Sequence, residues 1–123
     1  DSSLLRRVFS NLIRNASEAI DPASSNRLIV VTGAVDSGPE ARYAHIRVSD
    51  TGRGIAASDV HNVFIPFFTT KSRGYGIGLA LVQKIIVAHG GDVSVERSDA
   101  SGTCFHCRLP LFSGMDAESQ DVA

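Results

Sequence analysis

The sequence has no tryptophan, only two cysteines and four prolines, and no apolar run long enough to span a bilayer. Two cysteines cannot build a disulfide framework. The longest apolar-rich stretch, Ile77–Ala88, is interrupted by Gln83 and Lys84, whereas a membrane helix needs about 20 apolar residues. The first residues do not have the pattern of a secretory signal. We therefore expect a cytoplasmic domain.

Neither sign of charge dominates, because twelve Lys and Arg oppose thirteen Asp and Glu. A chain without a broad basic field is not typical of a nucleic-acid binder, and we expect no nucleic-acid partner. A length of 123 residues that are 43% hydrophobic suits one domain with one core. We expect that domain to occupy residues 1–112 and to be monomeric in isolation. Residues 113–123 are polar and acidic, which predicts a disordered tail or linker.

Three segments are predicted to be helical. Residues 4–20 place apolar side chains on one broad arc, and Asp21-Pro22 stops the pattern. Leu79–Ala88 is apolar almost all round, as in a buried helix, and Gly90-Gly91 follows it. A short helix is predicted around Val60–Val63.

Four segments have the composition and alternation of strands, and turn-forming residues separate them into two pairs. They are Leu28–Val35, Tyr43–Ser49, Asp92–Arg97 and Thr103–Leu109. The order of elements predicts an α+β two-layer sandwich, in which three helices cover one face of a mixed, mostly antiparallel sheet. By alternation, His45 and His106 are predicted to lie exposed on the other face.

Asn11 and Asn15 lie one helical turn apart, with Asn15 at the edge of the apolar arc. A buried amide needs hydrogen-bond partners, which a backbone group usually supplies. The alternative is that the Asn15 carbonyl oxygen binds a hard cation such as Mg²⁺, which prefers oxygen ligands. The pair alone leaves both interpretations open.

The segment Asp50-Thr-Gly-Arg-Gly54 follows a predicted strand. It has the composition of an ordinary turn. It equally suits a site where glycines let the backbone approach a flat ligand while a carboxylate accepts hydrogen bonds from an amino group, such as that of adenine.

Residues 64–78 combine three phenylalanines, Lys71 and Arg73 with three alternating glycines ahead of a predicted helix. A glycine-rich backbone at a helix N-terminus presents free N–H groups, which can bind phosphate. A flexible loop is the alternative. The pattern is neither the Walker motif nor the dinucleotide-binding motif.

Cys104-Phe-His-Cys107 has the spacing of some metal and redox motifs. Residues three apart on a strand face opposite sides, so the two sulfurs do not converge. We therefore predict that Cys107 is a core residue.

Taken in order, the segments Asn11–Ala16, Asp50–Ile55, Phe67–Lys71 and Gly74–Leu79 resemble the N, G1, F and G2 boxes of the ATP-binding catalytic domain of bacterial sensor histidine kinases. These kinases share the Bergerat fold of the GHKL superfamily with gyrase, heat-shock chaperone and mismatch-repair ATPases. Gly102-Thr-Cys-Phe105 resembles the last glycine box. The resemblance runs from about residue 1 to 111, and the nitrogen-regulatory branch is the most similar.

The resemblance implies a role for each matching residue. Asn15 would hold Mg²⁺, Asp50 would accept a hydrogen bond from the adenine amino group, and Thr103 would support Asp50 through water. Lys71 would contact phosphate. The remaining positions implied to bind nucleotide are Asn11, Gly52, Gly54, Ile55, Gly74, Gly76, Gly78 and Leu79.

The implied function is transfer of the γ-phosphoryl group of Mg-ATP to a histidine. The acceptor would lie on dimerisation helices that precede Asp1 in the parent protein, and a response regulator would act downstream. Asn11 stands where related ATPases carry a glutamate base, which implies poor hydrolysis. Tyr75 and Glu18 depart from the pattern of related kinases. These departures keep open a nucleotide-binding module without catalysis, and the shared fold keeps open a serine kinase of the anti-sigma type.

Overall fold

A computed structural model of the chain describes residues 2–36, 42–65 and 78–111. These residues form two helices and four strands. They are α1 (Ser2–Ala19), β1 (Ile29–Val35), β2 (Tyr43–Asp50), α2 (Gly78–Ala88), β3 (Asp92–Asp99) and β4 (Gly102–Pro110). Neither of the two helices in these ranges combines the length and the apolar character needed to cross a bilayer.

The four strands form one sheet in the order β1-β2-β4-β3. Two hairpins, β1–β2 and β3–β4, are joined by the pairing of β2 with β4. The predicted α+β class is confirmed. The prediction of a mixed sheet is not met in the described ranges, because every strand pair there is antiparallel.

The core lies between the helices and one face of the sheet. Helix α1 contributes Val8, Leu12 and Ala16, whose spacing of four residues places them on one side of the helix. The other buried members of the core cluster are Val48, Val82, Ile85, Ile86, Val93, Phe105 and Cys107. The prediction that Cys107 is a core residue is therefore confirmed.

The predicted short helix at Val60–Val63 is wrong. Backbone bonds in this segment run from Asp59 N to Ala56 O and from Asn62 N to Asp59 O, each at 2.8 Å. They advance three residues at a time and so define successive turns. One isolated helical turn fixes many dihedral angles for a single hydrogen bond, which makes so short a helix unfavourable. The described residues thus hold two helices, not the predicted three.

The outward face of the sheet also differs from expectation. His45 and His106 are half-buried, with 23% and 19% of their side chains exposed, rather than fully exposed. The two rings meet edge to edge and are joined by a hydrogen bond. Alternation along a strand predicted the face correctly but could not predict that the two side chains shield each other.

Candidate functional site

Asp50 ends β2 with only 3% of its surface exposed. Its Oδ1 accepts hydrogen bonds from the backbone N–H groups of Gly52 at 2.8 Å and of Thr103 at 3.3 Å. Both bonds fall on the same oxygen, and no described residue is bonded to Oδ2. The carboxylate is therefore held in one orientation with one oxygen available to a donor from outside.

Thr103 lies directly opposite Asp50 in the pairing of β2 with β4 and is equally buried. Its hydroxyl is 3.0 Å from the Ser98 hydroxyl on β3. Ser98 Oγ also accepts a hydrogen bond from the Ile55 N–H at 2.6 Å. One row across three strands thus carries Asp50, Thr103 and Ser98, and it fixes the backbone of Ile55.

Ser98 occupies this row because β3 is irregular. Val95 pairs with Phe105, but Arg97 rather than Glu96 pairs with Cys104, so the register shifts by one residue. Without the shift, Arg97 would face Thr103. Ser98 falls between the predicted strands Asp92–Arg97 and Thr103–Leu109, so the sequence predicted a turn there and not a site residue. The available signal was Arg97, a charged residue that strict alternation places on the buried face.

The loop after Asp50 packs against the end of α1. The Arg53 N–H donates to the Ala19 carbonyl at 3.1 Å. A Cβ added at Gly52 would lie 2.6 Å from the same carbonyl oxygen, so only glycine allows this close approach. Gly54 has a φ of 78°, in the left-handed region that favours glycine.

Helix α1 connects the loop after Asp50 with the start of α2. Asn11, Asn15 and Ala19 are spaced by four residues and form one row along the helix. Ala19 contacts the Gly52 loop at one end of this row. At the other end, the Asn11 side-chain carbon lies 4.0 Å from the position that a Cβ of Gly78 would occupy. Asn15 is half-buried between these two contacts.

Gly78 begins α2, so Asn11 faces the N-terminal end of that helix. Leu79 is half-buried and packs against the core, which fixes the start of α2 on the core. Backbone N–H groups at a helix N-terminus have no partner within the helix and favour anions. This end of α2 therefore suits a phosphate group.

Eight of the predicted site residues lie on α1, at the end of β2 and in the loop after it, at the start of α2, or on β4 opposite Asp50. They are Asn11, Asn15, Asp50, Gly52, Gly54, Gly78, Leu79 and Thr103. Ile55 joins them through its bond to Ser98. Lys71, Gly74 and Gly76 lie outside the described residues, as do Phe67, Phe68 and Tyr75.

The two cysteines are both buried and unbridged. Burial raises the pKa of the Cys107 thiol to about 12. A thiol with such a pKa stays protonated near neutrality and is a poor nucleophile. Cys107 therefore has a packing role.

A family model described as histidine kinase-, DNA gyrase B- and HSP90-like ATPase matches residues 1–113. The chain belongs to this family, and the domain corresponds to the catalytic ATP-binding domain of histidine kinases.

Several named proteins are similar. The sensor histidine kinase ZraS of Escherichia coli K12 is 40% identical over 90% of this chain, and the sensory histidine kinase/phosphatase NtrB of Rhizobium meliloti is 37% identical over 94%. The chain spans only 22% and 32% of their respective lengths.

Solved structures agree with the fold. The mycobacterial sensor histidine kinase MprB is 30% identical, with a TM-score of 0.75 over 89% of this chain and 74% of that chain. A nucleotide-free catalytic domain of the histidine kinase ThkA is 32% identical, with a TM-score of 0.72 over 89% of this chain and 68% of that one.

Proposed function

We propose that this domain binds Mg-ATP and donates the γ-phosphoryl group to a histidine on a separate dimerisation and acceptor domain, in two-component signal transduction. The observation that carries the proposal is the fixed carboxylate of Asp50. Its Oδ1 is occupied by two backbone N–H groups, which leaves Oδ2 for the adenine amino group. The family relationship supports the same ligand.

The residues along α1 fit the phosphate end of ATP. Asn15 supplies an amide oxygen, the ligand type that Mg²⁺ prefers. The N-terminus of α2 beside Asn11 and Gly78 supplies N–H groups and the positive end of the helix dipole. Mg²⁺, when bound, neutralises charge on the phosphates. Lys71 would place a positive charge beside the γ-phosphate.

The transfer needs positioning more than acid–base chemistry from this domain. The acceptor imidazole nitrogen attacks the γ-phosphorus as the bond to the bridging oxygen breaks. ADP leaves with the electron pair, and the proton on the other ring nitrogen passes to water. Asn11 cannot activate water as a carboxylate base would, so we expect slow ATP hydrolysis.

The histidines of this chain are poor acceptor candidates. His45 and His106 lie on strands and bond to each other, and His61 lies on a turn. His89 follows α2 and is within 2.8 Å of the Ile85 carbonyl through Nδ1. We therefore place the acceptor on helices that precede Asp1 in the parent protein, with a response regulator receiving the phosphoryl group from it.

Calorimetric titration with ADP and GDP, with and without Mg²⁺, tests nucleotide binding. We expect selective ADP binding that strengthens with Mg²⁺, and we expect Asn15→Ala to lose only that strengthening. Ser17→Ala is the matched control, because Ser17 is exposed on the same helix. Absence of binding at millimolar ADP would refute the nucleotide site.

Incubation with the acceptor domain of the parent and ³²P-labelled ATP tests the transfer. Acid-labile, alkali-stable label on a histidine is expected. ADP-selective binding without any transfer in the intact parent would instead favour a nucleotide-binding regulatory module, for which Tyr75 and Glu18 are the motivating departures. Acid-stable label on serine of a partner would favour an anti-sigma-type serine kinase.

A further inference from the structure

The irregular pairing of β3 brings the Ser98 hydroxyl into the candidate site, although Ser98 is not among the predicted site residues. Ser98 Oγ lies 3.0 Å from Thr103 Oγ1, 2.6 Å from Ile55 N and 3.4 Å from Ile55 O. One of its two lone pairs accepts the Ile55 N–H, and its single proton has two acceptors within reach, Thr103 Oγ1 and Ile55 O. The Thr103 oxygen lies within the usual range of an O–H···O bond and the Ile55 carbonyl lies beyond it.

A proton donated from Ser98 to Thr103 determines what Thr103 can do. Its oxygen is then an acceptor towards Ser98, and its own proton is directed elsewhere. The Thr103 hydroxyl has no other partner among the described residues. Since its backbone N–H bonds to Asp50, Thr103 lies beside the carboxylate with a hydroxyl proton available to a ligand or a water.

We propose that Ser98 is a positioning residue that orients the Thr103 hydroxyl as a donor beside the Asp50 acceptor. The two groups then form an acceptor–donor pair that selects the edge of a 6-aminopurine. Adenine offers an amino donor and the N1 acceptor, whereas a 6-oxopurine offers the reverse pair. This inference rests on the proposed function, because it names how that nucleotide site chooses its base.

Three nucleoside diphosphates allow the contributions of the Asp50 contact and the Thr103 contact to be measured separately. ADP carries the 6-amino group and the N1 acceptor, purine riboside diphosphate keeps only the N1 acceptor, and inosine diphosphate reverses both. Asp50 should govern the preference for ADP over the purine compound. The preference for the purine compound over the inosine compound combines the repulsion between Asp50 and the 6-oxygen with the contact of Thr103, oriented by Ser98, to N1. A Ser98 variant should change only the second part.

The experiment is calorimetric titration of the full chain with all three ligands. For Ser98→Ala we expect the purine-over-inosine preference to fall about fivefold, equivalent to one ordinary hydrogen bond. The ADP-over-purine preference should stay as in the unsubstituted chain. Ser98→Thr retains a hydroxyl and should restore the lost preference. Ser94→Ala is the matched control, because Ser94 is exposed on the same strand.

If Ser98 had a purely structural role, Ser98→Ala would lower the affinity for all three ligands by one common factor, and that result would overturn the inference. Thr103→Val provides a second test that does not depend on the folding of Ser98→Ala. It should lower the same preference, and full selectivity in Thr103→Val would also overturn the inference. If the unsubstituted chain does not prefer ADP over inosine diphosphate, the proposed function itself fails at the base site.

Discussion

His45 Nδ1 and His106 Nε2 lie 2.8 Å apart across neighbouring strands on the outward face of the sheet. The rings are inclined by only 12° and their centroids are 5.1 Å apart. Parallel rings stacked face to face could not bring two nitrogens this close, so the rings lie edge to edge and are joined by one hydrogen bond. His45 Nε2 also contacts Asp36 Oδ1 at 2.7 Å, which extends this series of hydrogen bonds to the residue that follows β1.

This arrangement predicts a pH dependence of stability. Burial, with the nearby charge of Arg47, lowers the pKa of His106 below its ordinary value of 6.5. The unfolded chain then binds a proton at a higher pH than the folded chain does. The free energy of unfolding should therefore fall as the pH decreases below 6.5. Urea denaturation between pH 8 and pH 5 measures it.

The variant His106→Gln removes this contribution together with the ring-to-ring hydrogen bond to His45. It should show a smaller loss of stability than the unsubstituted chain over the same pH range. His61→Gln is the control, because His61 is exposed on a turn. An identical pH dependence in His106→Gln and the unsubstituted chain would contradict the assignment.

Gly102→Ala should be strongly destabilising. Gly102 has a φ of 138°, and an added Cβ would collide with the backbone carbonyl of Asp50. We expect a loss of about 3 kcal/mol or more and loss of nucleotide binding. Gly33→Ala is the control, since nothing lies within 4 Å of its added Cβ. Thermal unfolding compares them, and equal melting temperatures would refute the close packing at Gly102.

Asp50→Asn should change base selectivity without unfolding the domain. The amide oxygen can keep the bonds from Gly52 and Thr103, while the amide nitrogen opposes the adenine amino group as a second donor. We expect ADP affinity to fall by about 1–3 kcal/mol. Asp21→Asn is a matched control, because Asp21 Oδ1 also accepts from the N–H two residues ahead, at 2.9 Å. An unchanged preference for ADP over GDP would reject the role of Asp50.

Lys71→Ala tests the phosphate contact that the sequence predicts. The chain has only two lysines, and Lys84 on α2 is the exposed control. Loss of the Lys71 ammonium should weaken the binding of ATP by about 1.5–3 kcal/mol and leave the binding of adenosine unchanged. Calorimetric titration of both ligands gives the comparison. Equal losses for ATP and adenosine would contradict a contact to phosphate.

Much of the fold was predictable because its elements have strong local patterns. The structure begins β1 one residue later than predicted and extends β2 by one residue to Asp50. The predicted helix 79–88 is α2, and Gly91 N bonds to the Ile86 carbonyl where Gly90-Gly91 was expected to end it. Hydrophobic periodicity and glycine positions are properties of short segments, so the sequence alone determines them.

The candidate site was predictable in its residues but not in its geometry. The order of motifs along the chain identified Asn15, Asp50 and Thr103 as site residues. Only the pairing of β2 with β4 places Thr103 opposite Asp50, and only the register shift in β3 places Ser98 opposite Thr103.

The sequence by itself therefore determined the family, the class of fold and the side chains that carry the proposed chemistry. Tertiary structure decided which of those side chains meet, how the Asp50 carboxylate is oriented and how His45 and His106 hydrogen-bond to each other. The reason is that periodicity and turn chemistry act between neighbours in the chain. Strand register, bulges and contacts between side chains far apart in sequence depend instead on how the whole core packs.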